Sequence, residues 1–143
     1  MKIRRIYNLD FKGFTREGKK NTLPDYSGLY FVYRGVRHKG KDNTYTCSLK
    51  ELLYIGQAEN INERINGEHE HFEDWCSYLD EGEMLYYSTC PVPQYQLDEV
   101  EAACIYHAQP PVNTQNKDSY NYNPVKIKTS GRVALIDKEF IVG

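Results

Sequence analysis

Two short runs of apolar sequence decide the fold, Ser27-Gly28-Leu29-Tyr30-Phe31-Val32-Tyr33 and Leu52-Leu53-Tyr54-Ile55-Gly56. Aromatic and aliphatic side chains dominate both runs, which is typical of β-strands. Residues 34–48 lie between them and are polar and rich in turn-forming residues, which predicts a long connection. Strands joined through such a connection can pair antiparallel. We therefore expect the centre of a sheet here.

Beyond Gly56 the apolar residues take helical spacing, and later elements alternate between helix and strand. The final helix has an apolar stripe at steps of three to four residues and must end before Pro110, since the residue before a proline resists the α region. The predicted elements are helices over 58–66 and 72–79, a strand over 84–90 and a helix over about 97–108.

This order predicts an α/β (α+β) class, a small layered fold with a central, mainly antiparallel three-stranded sheet flanked by helices. At 143 residues the chain has room for one main domain. We predict a basic N-terminal arm over residues 1–26 with one short strand near Ile3–Tyr7, a main domain over 27–116, and a C-terminal extension over 117–143. The extension forms either a strand pair or a docked tail.

Charge is distributed unevenly along the chain. The net charge is −2, yet residues 1–41 carry +8, residues 42–101 carry −12 and residues 102–143 carry +2. A protein that binds a polyanion without net positive charge does so through local patches, and the N-terminal segment is the strongest candidate. A merely solvated surface is the open alternative.

Other features of the composition indicate a cytoplasmic protein with reduced thiols and no membrane association. The N-terminus lacks the apolar run of a secretory signal, and no stretch approaches the roughly 20 apolar residues of a membrane span. The four cysteines form no CxxC pair, which argues against a zinc ribbon.

Two half-motifs, Gly28-Leu29-Tyr30 and Tyr54-Ile55-Gly56, precede an arginine, a helical glutamate and an asparagine at Arg64, Glu101 and Asn113. In type and order these residues resemble the motif of the GIY-YIG nucleases. The resemblance extends over about residues 27–116, and its last segment is similar to the nuclease domain of the nucleotide excision repair endonuclease.

The resemblance implies a divalent-metal-dependent DNA endonuclease in which Glu101 holds Mg²⁺ or Mn²⁺ and Arg64 binds the phosphate. One carboxylate suffices for Mg²⁺, which keeps most of its waters. An arginine forks two N–H donors onto a phosphate, which a lysine does less well. The plain alternatives are a solvated helix glutamate and an exposed arginine paired with a neighbouring carboxylate.

The resemblance also implies that Tyr30 contacts the attacking water and that Tyr54 positions the water or the phosphate. Either could instead be a half-buried strand tyrosine in a chain with 13 of them. Gly28 and Gly56 are expected to allow close approach of backbones. Asn113 is expected to support the loop after the helix rather than to act in catalysis.

Two positions depart from the family pattern. Many relatives carry a lysine where this chain has Gln57, and a histidine or tyrosine where it has Glu68. A shift of one residue after Gly67 would bring His69 into the site as a further catalytic residue. His71 is the other candidate, and exposed loop histidines are the alternative for both.

DNA is the expected partner, with contacts predicted for one set of side chains: Arg34, Arg37, Lys39, Lys41 and Gln57. Target choice would come from the N-terminal arm, the connection over residues 34–48 or the C-terminal extension, from a protein partner or from a homodimer. Two other functions stay open, a nucleic-acid-binding module with weak or no cleavage and a protein-interaction domain. Roles in repair, restriction and mobile elements are equally compatible with the pattern.

Overall fold

In the computed structural model, which describes residues 2–3 and 5–143, six strands form a single sheet. The strands are β1 (Arg5–Arg16), β2 (Gly28–Lys39), β3 (Tyr45–Ala58), β4 (Glu83–Pro91), β5 (Val125–Gly131) and β6 (Glu139–Val142). Their order across the sheet is β3-β2-β4-β1-β5-β6. Neighbouring strands are antiparallel except β1 and β5, which are parallel. The mixed α and β class is confirmed, but the prediction of a three-stranded sheet is wrong.

Three α-helices accompany the sheet in the described part of the chain: α1 (Ile61–Asn66), α2 (Phe72–Ser77) and α3 (Leu97–Ala108). The side chain of Asn60 accepts a hydrogen bond from the backbone N–H of Glu63, so α1 begins three residues later than predicted. The end of α3 agrees with the prediction, and Gln109 follows it in the left-handed conformation.

The segment predicted as an arm supplies a strand to the middle of the sheet. Strand β1 is 12 residues long and lies between β4 and β5. Tyr7, Leu9 and Phe11 are buried while the residues between them are exposed. This alternation spans few residues within a basic and polar segment, which is why composition alone suggested an arm with a short strand at Ile3–Tyr7. Arg4 lies outside the described residues.

The predicted connection over residues 34–48 is mostly strand. Residues 34–39 continue β2 and pair with the first part of β3, so only about residues 40–44 form the turn. The register shifts at Val32/Tyr33 and again at Arg34/Gly35, because β3 carries an extra residue at each place. The sequence did not reveal the strands here because residues 36–48 are exposed or half-exposed and mostly polar, so they lack the apolar alternation of a strand with one buried face.

The sheet separates two cores. On one face, α3 covers Leu29 and Phe31 of β2 and the buried residues of β1 and β5. On the other face, α1 and α2 cover Tyr30 and Val32. Successive residues of β2 therefore serve different cores, as the pleat of a strand requires.

The sequence left open whether residues 117–143 form a strand pair or a docked tail, and in the structure they contain a strand pair. Strands β5 and β6 form an antiparallel pair that joins the sheet beside β1. Strands from all three predicted segments thus share one sheet. Among the described residues, no helix is both long enough and apolar enough to cross a membrane.

Candidate active site

Tyr30 and Tyr54 lie on the same face of neighbouring strands. In the register of β2 and β3, Tyr30 is opposite Gly56 and Tyr54 is opposite Val32. The two rings approach with their centroids 6.2 Å apart. The two half-motifs therefore bring their tyrosines together, and they do so through strand pairing.

The glycines of the two half-motifs make room for their neighbours. A Cβ atom at Gly56 would overlap the ring and hydroxyl of Tyr30. A Cβ atom at Gly28 would overlap the backbone carbonyl of Cys90 on β4. Both positions need glycine because another group occupies the space of a side chain.

Tyr30 is fully buried and bonded to His69. Only 1% of Tyr30 and 7% of His69 is exposed, and the hydroxyl lies 2.7 Å from Nε2 of His69. The backbone N–H of His71 donates to Nδ1 of His69 at 3.1 Å. In the neutral ring Nδ1 is thus the acceptor, so Nε2 carries the proton and donates it to the hydroxyl oxygen of Tyr30.

Burial keeps this pair neutral. It lowers the pKa of His69 to about 4, with a further lowering from the charge of Arg64. Burial also raises the pKa of Tyr30 far above its ordinary value, and Tyr54 adds to the rise. Near neutral pH, His69 is therefore a fixed donor to a protonated tyrosine and not a proton acceptor.

Tyr54 is the tyrosine that reaches open space. It is half-buried on the edge strand and lines a cleft of about 150 Å³ together with Glu70, His71 and Glu101. Burial raises the pKa of Tyr54 to about 12, and the carboxylates of Glu101 and Glu70 add to the rise. The hydroxyl is accordingly a hydrogen-bond donor near neutral pH.

Glu101 enters the cleft from α3 and is held by Gln57. The side-chain amide of Gln57 donates to Oε1 of Glu101 at 3.1 Å and to Asp98 at 2.8 Å. Burial raises the pKa of Glu101 to about 7, although the bond from Gln57 opposes the rise. The sequence predicts that Gln57 contacts DNA, whereas in the structure Gln57 is bonded to Glu101, the carboxylate expected from the resemblance to hold the metal.

Arg64 projects from the end of α1 and is bonded to Glu70. Both of these bonds leave from Nη2 of Arg64, at 2.6 and 2.7 Å. The bond from Arg64 lowers the pKa of Glu70 to about 2. Arg64 is thus paired with a neighbouring carboxylate, as expected if it were an ordinary surface arginine. Its Nε and Nη1 atoms make no hydrogen bond to the described residues.

Asn113 fastens the loop after α3 to the edge of the sheet. Its Oδ1 accepts from the backbone N–H of Ile55 at 3.0 Å, and its Nδ2 donates to the carbonyl of Ile55 at 2.9 Å. The N–H of Val112 donates to the carbonyl of Leu53. Strand β3 lies at the edge of the sheet, so no further strand pairs with the backbone of Ile55 and Leu53 on this side. The loop after α3 supplies the missing hydrogen-bond partners.

The predicted DNA-contacting residues of the hairpin lie away from this cleft. Arg34 is bonded to Glu51 and Glu83, and Arg37 lies over the ring of Tyr45 at 3.6 Å. Lys39 is nine residues beyond Tyr30 on β2, about 30 Å along the strand. The exposed Lys41 follows it in the turn. The structure therefore does not bring these cations together with Tyr54 and its neighbours.

Sequence reasoning missed Glu70, which contributes a second carboxylate to the cleft. Glu70 is in a short loop between α1 and α2 and follows Arg64 by six residues, a spacing without helical meaning. Glu68, the residue singled out instead, is exposed. The only available signal was the acidic character of residues 68–74.

Neither a family model, nor a curated protein, nor a solved structure matches the chain. In the described ranges, no group of three or more His, Cys, Asp or Glu side chains converges as a metal site. A cation in the cleft would thus depend on single carboxylates together with water or substrate oxygens.

Proposed function

We propose that this protein is a divalent-metal-dependent DNA endonuclease of the GIY-YIG type, which hydrolyses a phosphodiester bond in the cleft at Tyr54. The observation that supports it is a convergence: a half-buried carboxylate and a tyrosine line one small cleft, and an arginine lies beside it, bonded to the lining residue Glu70. Glu101, Tyr54 and Arg64 supply these groups. They come from three different elements, α3, β3 and α1.

The residues fit Mg²⁺ or Mn²⁺. The hydrogen bonds of Glu101 to described residues use Oε1, which leaves Oε2 for a cation. A volume of about 150 Å³ accommodates about five waters at liquid density, enough for an ion that keeps most of its hydration shell. When bound, the ion supplies a Lewis acid that activates water and neutralises charge on the phosphate.

Tyr54 has the position to donate a hydrogen bond to a phosphate oxygen or to the attacking water, because its hydroxyl is protonated and its ring lines the cleft. Tyr30 is buried beneath it and is fixed by the donor at His69. We assign Tyr30 and His69 to positioning, and contact with substrate to Tyr54. Tyr54 thus keeps the role that the resemblance implies for it, whereas Tyr30, expected to contact the attacking water, is assigned to positioning.

Arg64 is proposed to bind the phosphate beside the cleft. Nε and Nη1 are left over after the bonds to Glu70, and they can fork onto two phosphate oxygens. Glu70 is 62% exposed, so it can also swing into solvent and release the whole guanidinium. The negative charge of Glu70 opposes phosphate binding until then.

A plasmid-nicking assay tests the proposal. Wild-type chain should nick supercoiled DNA with Mg²⁺ or Mn²⁺ and should stop when EDTA is added. Glu101→Ala should abolish nicking, while Glu73→Ala serves as the matched control because it removes an exposed carboxylate outside the cleft. Equal nicking by wild type and Glu101→Ala would overturn the proposal.

A second function, binding of nucleic acid without cleavage, has two observations in its favour. Arg64 is already bonded to Glu70, and Tyr30 is sealed from solvent. Such a module would bind DNA with an affinity that falls steeply as salt rises, since phosphate contacts release counterions. Binding of that kind without nicking under either metal selects this function.

A further inference from the structure

A groove of about 650 Å³ lies at the other end of the sheet from the cleft. It is walled by β1, by the far part of the β2–β3 hairpin and by β4. Its size is within the range of sites that hold small organic ligands. It shares no lining residue with the cleft at Tyr54.

The charge of this groove has one sign. The lining residues include four cations, Arg16, Lys19, Arg37 and Arg132, and no acidic side chain. Within the described residues, none of the four forms an ion pair. Cations that converge without carboxylates indicate an anionic ligand, and guanidinium groups suit phosphate oxygens.

Aromatic rings lie among these cations. Tyr45 is 47% exposed, and the guanidinium of Arg37 lies 3.6 Å from the centre of its ring. This contact orients the guanidinium and leaves aromatic surface open to the groove. A ring beside a phosphate-binding cation suits a ligand with a planar base next to a phosphate.

A buried polar group in the wall points to a ligand independently of charge. Tyr86 lines the groove and is only 3% exposed, yet its hydroxyl has no hydrogen-bond partner in the described part of the chain. Burial raises the pKa of Tyr86 and Cys47 adds to the rise, while Arg37 and Arg16 oppose it. Both guanidinium groups are therefore within electrostatic range of this unsatisfied hydroxyl.

We propose that this basic groove binds a nucleotide unit, with the phosphate on Arg16 and Arg37 and the base against Tyr45. The unit is either a free mononucleotide or one residue of a nucleic acid strand. This inference is independent of the proposed nuclease function, because it needs neither the metal nor the cleft.

Calorimetric titration in EDTA tests the inference, since EDTA removes the metal that the cleft requires. The probes are inorganic phosphate, adenosine 5′-monophosphate and a 5′-phosphorylated single strand of ten thymidines. The mononucleotide or the strand should bind more tightly than phosphate. Tight binding of the mononucleotide identifies a free nucleotide as the ligand, and binding of the strand alone identifies a nucleic acid.

Variants locate the binding. Arg37→Gln should weaken it about tenfold, as expected for a lost charge-assisted hydrogen bond. Tyr86→Phe should weaken it severalfold without loss of thermal stability, because it removes a hydroxyl that the fold does not use. Lys50→Gln is the control, since it removes an exposed charge that does not line the groove.

Three results would overturn the inference: phosphate binding as tightly as both nucleotide probes, no binding of either probe, or equal binding by wild type and Arg37→Gln. Nicking is measured separately on the same preparations. A chain that nicks but binds no nucleotide in EDTA refutes the groove alone. A chain that binds nucleotide but never nicks refutes the nuclease alone.

Discussion

The cleft at Tyr54 and the basic groove hold their charges in different ways. In the cleft, Glu101 is half-buried and fixed by Gln57, and Glu70 is bonded to Arg64, which lies beside the cleft. In the groove, cations such as Arg37 converge without any acidic partner among the lining residues. The charged side chains of the cleft are held in place by hydrogen bonds within the protein, whereas those of the groove would be neutralised only by a bound anionic ligand.

This difference has a consequence for stability. A carboxylate whose pKa is raised by burial favours its neutral form, so ionising it costs folding free energy. Substitutions in the cleft should therefore change both stability and activity. Substitutions in the groove should change binding and leave the fold nearly as stable as before.

The largest effect is expected for Glu101→Gln, which should separate activity from stability. Nicking should fall by about 10³-fold or more, because a neutral amide is a poor ligand for the metal. The free energy of unfolding at pH 8 should rise by about 1–3 kcal/mol. The pKa of Glu101 is about 7 in the folded chain and 4.5 in the unfolded chain, so the unfolded chain ionises first as pH rises. Wild type therefore loses stability between pH 4.5 and 7 and does not regain it at higher pH.

Urea unfolding at pH 8 and pH 5 measures this change, with Glu73→Gln as the control. The gain should shrink at pH 5, where Glu101 is protonated in the fold. A variant that loses activity and stability together would mean that Glu101 holds the fold rather than the metal.

The next effect concerns the support of the cleft. Asn113→Ala should lower the free energy of unfolding by about 2–4 kcal/mol, because it leaves the N–H and carbonyl of Ile55 without partners on the edge strand. Thermal and urea unfolding measure it, and Asn121→Ala is the exposed control. A loss below about 0.5 kcal/mol would mean that water replaces the amide at no cost.

Much of the cleft could be predicted because its members belong to regular elements. Tyr30 and Tyr54 follow from strand pairing, and Glu101 follows from the apolar stripe of α3. Glu70 could not be found in this way, because its approach to Arg64 depends on the path of a short loop. Which tyrosine is buried was also hidden, since it depends on β3 being the edge strand.

The sheet was underestimated for related reasons. Strand β1 pairs with β5 more than a hundred residues later, and no local pattern reports such a partner. The hairpin over residues 34–48 has the composition of a loop because its residues are mostly polar and, from Val36 onward, exposed or half-exposed. The groove joins these same segments, so its cations could be counted in the sequence but not placed together.

A smaller effect in the cleft is expected from acid. The folded pKa of His69, about 4, lies below its ordinary value of 6.5, so the unfolded chain takes up a proton first as pH falls. Stability should thus be lost between pH 6.5 and 4, and wild type should lose about 2 kcal/mol more than His69→Gln between pH 7 and 4.5. His38→Gln, at an exposed histidine, is the control. Parallel losses in wild type and His69→Gln would show that another group dominates acid unfolding.

The smallest effect is expected in the groove, where Arg37→Gln should change the free energy of unfolding by less than about 1 kcal/mol. The contact with Tyr45 is half-exposed and contributes little to the folded state. Urea unfolding measures the change. The same variant should bind nucleotide about tenfold more weakly, so binding should fall while stability is nearly unchanged. A destabilisation above about 2 kcal/mol would show that Arg37 is a structural residue of the hairpin, and the groove would then resemble the cleft in how it is held.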